Sequence, residues 1–127
     1  MTQEDKQLLL KDICARLPYK VKGVYARTDI KNLSICEITT HLYGEMEESY
    51  NGKEKYEFIP YLRPMSSMTD EEQRTLDSMC NGVEMVSRLS GLKMFDKAFD
   101  WLNKNHFDYR GLIEKGLAID ATGLNIY

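Results

Sequence analysis

The chain has 127 residues, which suits one domain, and its hydrophobic (43%) and charged (29%) fractions are typical of a folded protein. A net charge of −3 with scattered lysines and arginines argues against a general polyanion binder. Cys14, Cys36 and Cys80 are odd in number and lack CxxC spacing, which disfavours disulfides and zinc and predicts reduced, mostly buried thiols. We expect a single cytoplasmic domain, 1–127, without a signal peptide, membrane segment, metal or cofactor.

The first predicted helix covers about residues 3–17. Thr2 and Asp5 have the spacing of a capping box, in which each side chain binds the other residue's backbone N–H. Leu9 and Ile13 begin an apolar stripe at helical spacing, and Pro18 ends the helix because the residue before proline disfavours the α region.

Residues 19–63 predict a small antiparallel meander of three or four strands. Short aromatic and β-branched runs alternate in character, which is typical of strands. Asn51–Gly52 is a strong hairpin signal because a type I′ turn needs positive φ at both central residues. The glutamates at 45–48 would then lie in an exposed loop. Pro60 and Pro64 are expected to end the sheet, since proline cannot donate to a strand ladder.

Two longer helices are predicted after the sheet. Thr69 and Glu72 form a capping box that begins one helix, and Gly91 is its expected end. Gly82 inside this helix costs about 1 kcal/mol relative to alanine. The next helix covers 92–106. Its predicted buried stripe consists of Met94, Phe95, Ala98, Phe99 and Leu102.

A short helix ending at Gly116 and an extended tail, 117–127, complete the prediction. The tail can add a strand to the sheet edge or fray. The fold class is therefore α+β: an N-terminal helix, the antiparallel meander, then two to three helices packed on the sheet.

Known catalytic and nucleotide-binding motifs are absent from the sequence, so we expect a protein that binds another protein rather than an enzyme. Two joints between elements, 61–68 and 106–110, contain the aromatic, arginine and methionine residues that are enriched in interfaces. Their candidate interaction residues are Tyr61, Arg63, Met65, Met68, His106, Tyr109 and Arg110.

The segment "NHFDYRGL" also allows a second function, a small enzyme that uses His106, Asp108, Tyr109 and Arg110. A structural explanation competes with it: Asp108 caps the following turn, and the other side chains cover the core or form pairs. The direction of the Asp108 carboxylate distinguishes the two.

A nucleic-acid-associated regulator is a further alternative, since the densest basic cluster lies in the predicted strand region 19–31. Its candidate residues are Lys20, Lys22, Arg27 and Lys31. The identity of a protein partner, and whether the chain forms a homodimer, stay open at this level.

Three strings carry a resemblance: "MTQEDKQLLLKDICARLPYKVK", "PYLRPMSSMT" and "DWLNKNHFDYRGLIEKGLA". Together they resemble a family of short proteins encoded by gut anaerobic bacteria and their phages or mobile elements. No activity, cofactor or catalytic residue is assigned to that family. The resemblance implies a small cytoplasmic accessory protein of phage or mobile-element type.

Overall fold

A computed structural model describes residues 1–27, 31–52, 56–80 and 88–127, with the side chains of 31–33 and 88–91 left undescribed. The fold is α+β, as predicted. Its elements, in chain order, are α1 (Gln3–Arg16), β1 (Lys22–Arg27), β2 (Lys31–Glu37), α2 (Thr40–Asn51), β3 (Tyr56–Pro64), α3 (Asp70–Cys80), α4 (Arg88–Lys104), β4 (Phe107–Asp108) and β5 (Ile119–Asp120).

The five strands form a mixed sheet in the order β2-β1-β3-β4. β1 pairs antiparallel with both β2 and β3, whereas the two-residue strands β4 and β5 each run parallel to β3. β3 is therefore the strand that joins the N-terminal half of the chain to its C-terminal end.

α1 confirms the predicted first helix. Thr2 Oγ1 accepts from the Asp5 N–H at 3.0 Å, and an Asp5 carboxylate oxygen accepts from the Thr2 N–H at 3.2 Å. α1 and α2 pack on one face of the sheet. The core residues that they share with β3 are Leu9, Ile13, Met46, Tyr50, Phe58 and Leu62.

The predicted antiparallel strands are present as β1, β2 and β3, but they do not form a continuous meander, because helix α2 lies between β2 and β3. Thr39 caps this helix by accepting from the Leu42 N–H at 3.1 Å. Met46 and Tyr50 follow Leu42 at four-residue intervals, and both are buried. This helical period outweighs the local turn preference of Asn51–Gly52, so Asn51 ends α2 instead of forming a hairpin.

Pro60 does not end the sheet. It lies within β3, opposite Gly23, where the β1–β3 ladder terminates. A proline is tolerated at that place because no further β1 residue needs its missing N–H. β3 then continues to Pro64 and pairs with β5 and β4 instead.

The C-terminal half departs from prediction at Gly91 and in the segment before Gly116. α3 begins at the predicted capping box but is described only to Cys80, so the predicted part at 81–87, with Gly82, lies outside the described residues. Gly91 does not end a helix, since it lies inside α4. The predicted short helix before Gly116 is a hydrogen-bonded turn, and the tail adds strand β5.

Two burial predictions also fail. Ala98 and Leu102 are buried on α4 as expected, but Phe95 and Phe99 are exposed, because α4 turns only one edge of its apolar stripe towards the core. The thiols of Cys14 and Cys80 lie on exposed positions, and Cys36 is half-buried. Among the described residues, no helix is both long and apolar enough to cross a membrane.

Gly23 and Gly44 offer a matched test of the close approach between β1 and β3. A Cβ at Gly23 would lie 2.4 Å from the Ile59 carbonyl oxygen and 2.5 Å from the Phe58 ring, whereas a Cβ at Gly44 meets nothing within 4 Å. We expect Gly23→Ala to lower the free energy of unfolding by about 1–3 kcal/mol, and Gly44→Ala in α2 to raise it by about 0.5–1 kcal/mol. Urea unfolding measures both; equal effects would contradict the packing described.

Candidate functional site

Asp108 acts as a cap and not as an acid–base group facing a cleft. Its two carboxylate oxygens accept from the backbone N–H groups of Leu112 and Ile113, at 2.9 and 3.0 Å. These bonds satisfy amides at the start of the turn that follows β4. The geometry therefore supports the structural explanation of the 106–110 segment.

His106 is a buried side chain just after α4. Its backbone is left-handed (φ 63°), and its ring stacks on that of Tyr127 with 3.6 Å between the centroids. Burial, together with the positive charges of Arg16 and Arg63, lowers the pKa of His106 to about 4. A histidine that stays neutral near pH 7 in this setting fits a packing role.

Arg110 belongs to a buried ion network centred on Asp12. The Asp12 carboxylate accepts from Arg16 at 2.8 and 3.1 Å and from Arg110 at 2.8 Å, and Arg16 also donates to the Phe107 carbonyl at 2.6 Å. Asp12 and Arg16 are fully buried. The i,i+4 spacing of Asp12 and Arg16 is visible in the sequence. The apolar stripe that includes Leu9 did not indicate that this charged pair is buried.

Tyr109 packs against both arginines of this network, with the Arg110 and Arg16 guanidinium carbons 4.6 and 5.5 Å from its ring centroid. Its hydroxyl donates to the Asn103 side-chain oxygen at 3.0 Å, and its ring contacts that of Phe99 with 5.2 Å between centroids. Tyr109 and Arg110 therefore contact each other, whereas His106 stacks on Tyr127 and Asp108 caps the following turn. The structure does not bring these four groups together around a common space.

Arg63 holds together the joint between β3 and α3. Its guanidinium donates two hydrogen bonds to Glu72, at 2.8 and 2.7 Å, and lies over the Phe107 ring at 4.1 Å. The Arg63 hydrogen bonds lower the pKa of Glu72 to about 2. Because Glu72 is also the capping-box acid of α3, this pair fixes where that helix leaves the sheet.

The other predicted interaction residues of this joint differ in exposure. Tyr61 is half-buried, and its carbonyl oxygen accepts from the Tyr127 hydroxyl at 2.7 Å. Met68 is half-buried, whereas Met65 is exposed. Arg63 and Ser67 line one side of a 360 Å³ cleft whose other side is the C-terminal segment 121–127.

Among the side chains that the structure describes, the candidate residues for nucleic-acid binding do not form a continuous basic stripe. Lys20 is exposed in a left-handed conformation, while the Lys22 ammonium donates to the Ile126 carbonyl at 2.9 Å. The Arg27 guanidinium lies over the Tyr56 ring at 5.3 Å. The side chain of Lys31 lies outside the described residues. In the part of the chain that is described, no group of acidic, histidine and cysteine residues could hold a metal ion.

Three large, exposed apolar side chains lie together on α4. Leu92, Phe95 and Phe99 are 66%, 46% and 47% exposed, respectively. Their i, i+3, i+7 spacing places them on one face of the helix, within about 60° of one another around its axis. We call these three residues the α4 stripe. Sequence reasoning recognised two of them as apolar and helical but assigned them to the core.

Removing the central carboxylate tests the ion network. Asp12→Asn removes the negative charge that the two arginines share and replaces one acceptor oxygen with an NH₂ donor beside the buried Arg16, so we expect the free energy of unfolding to fall by about 3–5 kcal/mol. Lys11→Gln, at the exposed neighbouring position, is the matched control and should change it by less than about 0.5 kcal/mol. Chemical denaturation measures both. A loss below about 1 kcal/mol for Asp12→Asn would show that the network is not buried as described.

The lowered pKa of His106 predicts a specific acid sensitivity. In the unfolded chain this histidine gains a proton below about pH 6.5, whereas in the folded protein it stays neutral to about pH 4. Its contribution to stability is therefore complete above pH 6.5 and decreases as the pH falls towards 4. We expect about 2 kcal/mol to be lost through His106 between pH 7.5 and 5.

The matched variant for this measurement is His106→Asn, since asparagine tolerates the left-handed backbone. Unfolding free energies of the wild type and the variant, measured from pH 7.5 to 5, should converge as the pH falls. Parallel curves would mean that His106 titrates normally in the folded protein.

Comparisons with known proteins found no relative of this chain. A scan against models of protein families found no match, and searches of curated proteins and of solved structures found no significant match.

Proposed function

We propose that this protein is a small, non-enzymatic binding module that recognises another protein through the α4 stripe. The observation that carries the proposal is the exposure of Leu92, Phe95 and Phe99 on one helical face. Single exposed apolar side chains are ordinary on protein surfaces, but a contiguous group of large ones is typical of an interaction site. Aromatic side chains also supply much of the binding energy in many interfaces.

The other candidate residues support this choice by their own contacts. His106, Asp108, Tyr109 and Arg110 are occupied by stacking, capping and pairing within the chain. Arg63 is similarly engaged by Glu72. A binding surface needs side chains that gain contacts on association, and the α4 stripe offers more of them than these two joints do.

The biological setting that fits this proposal is an accessory role in the cytoplasm, in line with the resemblance to proteins of phages and mobile elements. A binding module of this kind would act by occupying or recruiting its partner, and it would need neither a cofactor nor a catalytic group.

Affinity capture with matched baits tests the proposal. Leu92→Asp combined with Phe95→Asp places charge on the stripe at exposed positions, so the fold should be kept within about 0.5 kcal/mol per substitution. Ile35→Asp is the control, because Ile35 is 48% exposed on the sheet, away from α4. We expect a partner that is captured by the wild type and the control, lost at least about tenfold with the double variant, and reconstituted from purified proteins.

Partners that bind the double variant as well as the wild type would contradict the proposed site. A folded wild-type bait that captures no reproducible partner would contradict the proposed function itself. Circular dichroism and thermal unfolding of each bait establish that the comparison is made between folded proteins.

A further inference from the structure

Acidic residues lie along one side of the α4 stripe, and their charge indicates what kind of partner would bind there. Relative to Leu92, the stripe extends about 60° around the helix in one direction, towards the buried Leu102. In the other direction Asp96 and Asp100 follow at about 40° and about 80°, and both positions are exposed. One border of the stripe is therefore the protein core, and the other border is negatively charged.

Helix α3, which packs against α4, is also acidic at its exposed positions. Asp70, Glu71 and Asp77 outnumber Arg74, the basic residue of that helix. Along α4 itself, Lys93 and Lys97 lie further around the helix, at about 100° and about 140° from Leu92, on the side away from the stripe. Among the charged side chains that the structure describes on α4, that of Asp96 is thus the nearest to the stripe.

From this arrangement we infer that the α4 stripe binds an amphipathic helix whose apolar face is bordered by lysine or arginine. This rests on the proposed function and specifies its partner. Anchors at i, i+3 and i+7 match the spacing with which one helix contacts another. Basic residues beside the partner's apolar face would lie near Asp96, so the charges are complementary.

The size of the stripe favours a single helix over a second folded copy of this chain. Its exposed apolar area is roughly 300 Å², taking about 200 Å² for each full side chain, while a stable interface buries about 800 Å² on each partner. A two-fold, antiparallel contact between two α4 helices would also place the Asp96 flank against the same acidic flank of the copy. Like charges at such a contact oppose self-association.

Two synthetic peptides of 18 residues test the inference on the full-length chain. Both have leucines at i, i+3 and i+7 repeats in an alanine background; one has lysines and the other glutamates beside the leucines. A third peptide has the lysine peptide's composition with scrambled leucines. Fluorescence anisotropy with labelled peptides in 50 mM salt should show the lysine peptide binding at least about tenfold more tightly than either of the others, and 500 mM salt should reduce that preference.

Variants then locate the contact. Asp96→Lys should remove most of the preference for the lysine peptide, whereas Lys97→Glu, at an exposed position on the other side of the helix, should keep it. Leu92→Asp with Phe95→Asp should abolish binding of the lysine peptide. Sedimentation of the wild type should show a monomer.

Equal binding of the lysine and glutamate peptides, lost in the Leu92 and Phe95 double variant, would overturn the basic partner while leaving the proposed protein-binding stripe intact. Equal binding of the lysine and scrambled peptides would reduce the interaction to non-specific charge attraction and overturn the inference. Self-association of the wild type that the double variant removes would make a second copy the occupant. Failure of every peptide to bind would overturn docking of a helix, and the capture experiment would then judge the proposed function independently.

Discussion

The buried carboxylate of Asp12 is the contact on which the arrangement of the two ends of the chain depends. It binds Arg16 on its own helix and Arg110 from the C-terminal part, while Arg16 also holds the Phe107 carbonyl. Asp12 and Arg16 are fully buried, and charged groups in such a place are stable only when they are paired and hydrogen-bonded. Because Phe107 is in β4, the network sets the position of α1 relative to the end of the sheet.

A layer of stacked groups continues from the same strand. The Phe107 ring contacts Trp101 of α4, at 5.7 Å between centroids, and the Arg63 guanidinium of β3. Arg63 in turn binds Glu72, the residue that caps α3. The chain of contacts from Asp12 to Glu72 therefore connects both C-terminal helices to the sheet, and it explains why the residues of 106–110 with catalytic potential serve the architecture.

The exposed stripe of α4 stands in contrast to this well-connected interior. Ala98 and Leu102 of α4 are buried in the core, whereas Phe95 and Phe99 are about half exposed. In the sequence, all four residues belong to the same apolar helical pattern, so the buried ones cannot be told from the exposed ones. The pattern shows periodicity, but it does not show which edge of a wide stripe contacts another element. The exposed face that we propose as the binding site could therefore be seen only after α4 had been placed.

Local chemistry in the sequence determined the α+β class and the starts of α1 and α3, because the Thr2 and Thr69 capping boxes involve atoms three residues apart. Tertiary structure decided the rest. It selected helix α2 over the Asn51–Gly52 hairpin by burying Met46, and it recruited the tail as the parallel strand β5. The physical reason is that capping is satisfied within one element, whereas burial and strand pairing depend on surfaces supplied by distant parts of the chain.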